Sequence, residues 1–151
     1  ACMVLPRDLL ERYRATFGTY ANTVSRFEQQ TLRRFLEEGY FARHLSRMRS
    51  AYKSRMEALV RALEESFGRG TVRLEGRHNG LHLLLTLEGG PGEREMVAAA
   101  RREGVVLRGL GQYYMARREL CPDNTVVLGY ASLKDRDIPA LVQALRRAWG
   151  R

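Results

Sequence analysis

Lysine is almost missing from this chain. Of its 26 basic residues only Lys53 and Lys134 are lysines and the other 24 are arginines. That skew fits a high-GC coding composition better than a binding surface. The arginines are dispersed, with no polybasic run of five, so the net charge of +9 makes a weak case for a nucleic-acid interface. Cysteine is scarce as well. Cys2 and Cys121 make neither a disulfide framework nor a metal motif, and reduced thiols in a cytoplasmic protein are expected. The three histidines, His44, His78 and His82, form no H-x-x-x-H pair and no Cys/His cluster, which excludes the familiar zinc patterns. Neither G-x-S-x-G nor G-x-x-x-x-G-K occurs. The longest apolar run, Leu81 to Leu87, contains His82 and Thr86 and is far too short to span a bilayer. The start lacks a basic region followed by an apolar run, so no signal peptide is read there. Its opening, Ala1-Cys2-Met3-Val4-Leu5-Pro6, is strand-like and reads as the edge of an excised segment.

What remains is ample for one domain: 151 residues, 44% hydrophobic. Asp8 is placed to cap a first helix carrying Leu9, Leu10, Tyr13 and Phe17 on one side, stopped by Gly18. After a loop over 19–23, Ser25 and Glu28 form an S-x-x-E capping box for a helix with Phe27, Leu32, Phe35 and Leu36. A longer helix follows. Leu45, Met48, Tyr52, Met56, Leu59, Leu63 and Phe67 recur at steps of three and four and mark a core-facing stripe. Beyond Gly70 the period drops to two. Strands are expected around Val72 to Leu74 and Leu81 to Leu87, then a short helix over 93–102 after the Gly89-Gly90-Pro91-Gly92 loop. Val105-Val106-Leu107 reads as a third strand and Thr125 to Ala131 as a fourth. Ser132 opens a last helix that buries Ile138, Leu141, Val142, Leu145 and Trp149 and must hold Pro139 in its first turn. Helices followed by β-β-α-β-β-α indicate an α+β fold, with a small, mostly antiparallel sheet covered by helices.

Read from residues alone, no complete active site is present. Glu37/Glu38 and Glu64/Glu65 sit near helix ends and are expected in solvent. The glycine-rich loop lacks the lysine of a phosphate cradle. His82 alternates with leucines and should face outward.

A family resemblance adds to this. Met3-Val4-Leu5-Pro6 through Leu9-Leu10-Glu11-Arg12-Tyr13 resembles the Y-M-V-L-P-x-x-L-L-E piece that follows the cofactor lysine in pyridoxal-phosphate proteins of the aspartate aminotransferase fold. The capped segment Asn22 to Glu28, Glu37-Glu38-Gly39-Tyr40-Phe41 and the pattern H-x-x-R-M-R-x-x-Y over His44 to Tyr52 are similar to the MocR branch of GntR-type transcription regulators. Gly80 to Leu85, Gly104 to Leu107 with Tyr113-Tyr114, and Val127 to Ala131 resemble successive strands of the same proteins. The resemblance implies the C-terminal small lobe of an aminotransferase-like domain. Residues 1–42 would be linking helices and dimer-interface region, and residues 43–151 the lobe itself.

It further implies pyridoxal 5'-phosphate in the full-length protein, a homodimer, DNA contacted through a separate winged helix-turn-helix domain, and no membrane partner. Two departures matter. The cofactor lysine is absent from this stretch, so no covalent cofactor bond and no activity are expected of it alone. Val127 stands where aminotransferases place an arginine that clasps the substrate carboxylate; Arg108, Arg117 or Arg118 could substitute. The loop with Tyr20, Asn22 and Thr23 resembles the segment that approaches the partner subunit's site, and these three are the candidate cofactor-region residues. Two other readings compete: a genuine aminotransferase, and a basic nucleic-acid-binding module. Apolar surface is expected around Met3 to Phe17 and Phe27 to Phe41.

Overall fold

The computed structural model describes residues 3–20, 23–77 and 80–150. It divides into two compact units, residues 1–45 and 46–151, taken here one at a time.

The first unit holds α1 (Arg7–Phe17), α2 (Arg26–Glu37) and the start of α3 (Tyr40–Phe67). Pro6, not Asp8, occupies the N-cap of α1, and no side chain caps that end. The restricted φ of proline turns the chain straight into the helix one residue early. Asp8 then falls inside the first turn, where its charge faces the positive end of the helix dipole. At α2 the capping box is complete. Ser25 Oγ accepts from the Glu28 amide at 3.2 Å, and Glu28 Oε2 accepts from the Ser25 amide at 3.3 Å. Neither α1 nor α2 contains a single buried residue. Their apolar side chains stack mainly on one another: Tyr13 lies 5.3 Å from Phe17, and Phe35 6.1 Å from Phe41, ring centre to ring centre.

The second unit is built on four antiparallel strands in the order β1-β2-β4-β3: β1 (Val72–Glu75), β2 (His82–Leu87), β3 (Arg108–Gly109) and β4 (Thr125–Gly129). Alternation sends Val72, Leu74, Leu83, Leu85, Leu87, Val126 and Leu128 to one face, all buried. Against them pack the stripe of α3 from Met56 onward, Met96 and Ala100 of α4 (Glu93–Arg102), and Ile138, Val142, Leu145 and Trp149 of α5 (Ile138–Trp149). The stripe reaches the core only from Met56; Leu45, Met48 and Tyr52 are half-buried.

Three boundaries differ from expectation, each for a local reason. The third strand is Arg108–Gly109, not Val105 to Leu107. The Val105 amide donates to the Ala100 carbonyl at 2.9 Å and the Gly104 amide to Arg101 at 3.1 Å, which closes the end of α4 as a Schellman motif. With that donor spent, Val106 swings outward, and pairing begins at Arg108. The fourth strand ends at Gly129, although the Tyr130 amide still donates to the Leu81 carbonyl at 3.0 Å. The last helix starts at Ile138 after a single 3-10 turn over Asp135–Asp137, because Pro139 must lie in its first turn. No described helix is long and apolar enough to cross a membrane.

Candidate functional site

The sheet has a second face, turned away from the core. β2 pairs with β4 so that His82 opposes Gly129, Leu84 opposes Val127 and Thr86 opposes Thr125. β3 adds Arg108 opposite Val127. Paired residues share a face, so these side chains form one surface. At one end the Thr86 and Thr125 hydroxyls are buried and bonded to each other at 2.8 Å. At the other end a cavity of about 290 Å³ opens, lined by His82, Val106, Arg108, Tyr113, Val127 and Gly129. A Cβ on Gly129 would come within 3.3 Å of His82 Cδ2 and 3.5 Å of Nε2. The imidazole therefore lies over the Gly129 backbone, in space that a larger residue would contest.

Arg108 and Tyr113 belong to a short segment, β3 and the 3-10 turn Leu110–Tyr113, and Glu93 anchors it. Only 6% exposed, Glu93 stands at the start of α4 and accepts a hydrogen bond from the Gly111 amide at 2.6 Å. Its own amide donates to the Asp123 carbonyl. A Cβ on Gly109 would lie 2.7 Å from Glu93 Cδ, and one on Gly111 2.5 Å from Oε1. The two glycines are thus the room in which a buried carboxylate sits. A neighbouring cavity of about 380 Å³ is lined by Glu93, Glu95, Cys121 and Asp123 among others. Among the described residues no cluster of His, Cys, Asp and Glu could hold a metal ion.

The lysines do not fit a Schiff base. Lys53 is exposed and 3.9 Å from Glu57 on its own helix face. Lys134 precedes the 3-10 turn Asp135–Asp137. Neither lines a cavity with a phosphate-holding group beside it, so no chemical step runs through a cofactor on these residues. Of the loop candidates, Tyr20 is 76% exposed with its ring 5.8 Å from Phe17. Thr23 is exposed, and Asn22 lies outside the described residues. Of the three possible substitutes for an arginine at Val127, Arg108 is its direct cross-strand neighbour. Arg117 is exposed beyond the 3-10 turn, and the Arg118 side chain lies outside what is described.

The positive charge is spent largely in separate pairs. Arg55 bonds to the Ala131 carbonyl and Asp135, Arg77 to Glu64, and Arg147 to Glu103. No continuous basic stripe follows from these, and such exposed pairs add little stability.

No family model matches the chain. The uncharacterized HTH-type transcriptional regulator YhdI of Bacillus subtilis is 34% identical over 147 residues, 97% of this chain and 30% of that protein. The probable rhizopine catabolism regulatory protein MocR of Rhizobium meliloti is 25% identical over 97% of this chain and 29% of its own length. Among solved structures, the alpha-aminoadipate aminotransferase LysN of Thermus thermophilus, complexed with N-(5'-phosphopyridoxyl)-L-leucine, gives a TM-score of 0.74. It is 26% identical and covers 95% of this chain and 36% of that one. The resemblance to the C-terminal, aminotransferase-like part of MocR-type regulators therefore holds over nearly the whole chain, and with it the α+β lobe. The chain spans about 30% of the length of the curated relatives it matches.

Proposed function

We propose that this chain is the C-terminal part of the effector-sensing domain of a transcription regulator, with residues 1–42 as linking and dimer-interface helices and residues 43–151 as the small lobe. In this reading the rest of the protein supplies pyridoxal 5'-phosphate, its lysine and a winged helix-turn-helix domain that contacts DNA. The complete protein works as a cytoplasmic homodimer. Ligand binding would change DNA binding by favouring one arrangement of the lobes over another.

The observation that carries this reading is the first unit. Two amphipathic helices with exposed Leu9, Tyr13, Phe17, Phe27, Phe35 and Leu36 and no buried residue cannot hold a helical fold by their own packing. Such faces are made to be covered, and the similarity to regulators about three times longer names what covers them. Alone, the chain should associate through these faces: light scattering is expected to show mass rising with concentration. A constant monomer mass at high concentration would count against it.

Borohydride reduction in the presence of pyridoxal phosphate tests the cofactor reading. The complete protein should yield one adduct, on a lysine outside these 151 residues, and the chain alone none. A stoichiometric adduct on Lys53 or Lys134 would overturn the proposal. Transamination by the complete protein, with no operator binding, would favour an enzyme instead.

A further inference from the structure

We propose that the cavity on the outer face of the sheet binds the carboxylate of a small organic acid through Arg108. The proposal deepens the reading above, on which its regulatory meaning rests, by naming the class of effector that such a domain would hold.

Three features of the cavity point this way. Its polar side chains are His82, Arg108 and Tyr113, and no carboxylate lines it. Among the described residues Arg108 has no ion-pair partner, whereas Arg55, Arg77 and Arg147 each have one. An uncompensated guanidinium in a concave site is an anion receptor, and its planar fork of donors matches a carboxylate by two parallel hydrogen bonds.

The walls restrict the anion further. Val127 is half-buried directly beside Arg108, and Val106 is 86% exposed at the rim. An aliphatic stub attached to the carboxylate would cover both, which inorganic phosphate cannot do. His82 and Tyr113 add donors across the opening from Arg108, and the Glu93 anchor holds Arg108 and Tyr113 on one short segment. At about 290 Å³ the space admits a short acid, not a peptide or a nucleotide.

The 151-residue chain itself carries the test. It is ¹⁵N-labelled, kept below the onset of its self-association, and titrated with sodium propionate. Sodium phosphate and sodium chloride at equal ionic strength serve as parallel arms. Propionate should give saturable shifts at the Arg108 Nε–H, the His82 ring and the amides of 106–109 and 127–129, while the other two salts should not saturate. Arg108→Gln should weaken binding by about tenfold or more through loss of the charge-assisted bonds. Arg108→Lys should fall between, keeping the charge and losing the fork. Arg147→Gln, which touches only Glu103 at the surface, should bind as the parent does. Three results would overturn the proposal: no saturable shift in the parent chain, equal saturation by phosphate, or unchanged affinity in a folded Arg108→Gln. If the titration fails while the complete protein forms its adduct, this proposal alone falls. If the titration holds while Lys53 or Lys134 is labelled, the broader reading alone falls.

Discussion

Trp149→Ala is expected to remove about 3–5 kcal/mol of stability, enough to unfold much of the second unit at ambient temperature. Trp149 is the chain's one tryptophan, 7% exposed, and it stands on the last turn of α5. Its ring lies 5.7 Å from that of Phe67 at the end of α3, and its indole N–H donates to the Met96 carbonyl in α4 at 3.1 Å. One side chain thus ties three helices that cover the sheet. Its loss leaves a cavity that none of the three can close without leaving the sheet. Trp149→Phe keeps the ring packing and gives up the hydrogen bond, so its cost should be nearer about 1 kcal/mol, plus some loss of volume. Urea titration followed by far-UV circular dichroism separates the two variants, since the fluorophore is removed in both. A loss below about 1 kcal/mol in Trp149→Ala would mean that the end of α5 frays and contributes little.

What could be read in advance was what is local. The capping box of α2 needs only Ser25 and Glu28, three residues apart, and both of its bonds form. The α3 stripe depends on periodicity alone, and its C-terminal half is buried as expected. Pro139 set the start of α5 through its own ring. The third strand was misplaced because three β-formers in a row outweighed a competing local demand, the closure of α4 by the Val105 amide.

The site was less legible. The sheet order puts β4 between β2 and β3, so His82, Val127 and Arg108 meet only through long-range pairing that no spacing reveals. Arg108 was one of three arginines that could stand near Val127; only the register singles it out. Glu93 was missed altogether. An acidic residue at the first turn of a helix has a sufficient reason in the dipole, and nothing nearby suggests burial. The usable signal lay farther on, in Gly109-Leu110-Gly111, two glycines at alternate positions where a strand gives way to a turn.

Glu93→Ala should cost about 1–3 kcal/mol by stranding the buried Gly111 amide. It should also weaken propionate binding while leaving Arg108 in place. Glu93→Gln retains an oxygen for that amide and should cost less in both respects. Stability loss alone does not distinguish an anchor from a generic buried residue, but coupling to Gly111 does. In the parent chain a Cβ at Gly111 meets Glu93 Oε1 at 2.5 Å, so Gly111→Ala must push the carboxylate off its amide. A carboxylate is ordinarily a movable obstacle, but this one is buried and bonded, and displacing it is expensive. With Ala at position 93 the obstacle is gone, and the added methyl group enters the space the carboxylate left. The double variant should therefore be more stable than the sum of the single losses predicts, by about 1 kcal/mol or more. Strict additivity in the same urea titrations would show that Glu93 and the Gly109–Gly111 segment act independently, and the anchoring of Arg108 through this carboxylate would have to be abandoned.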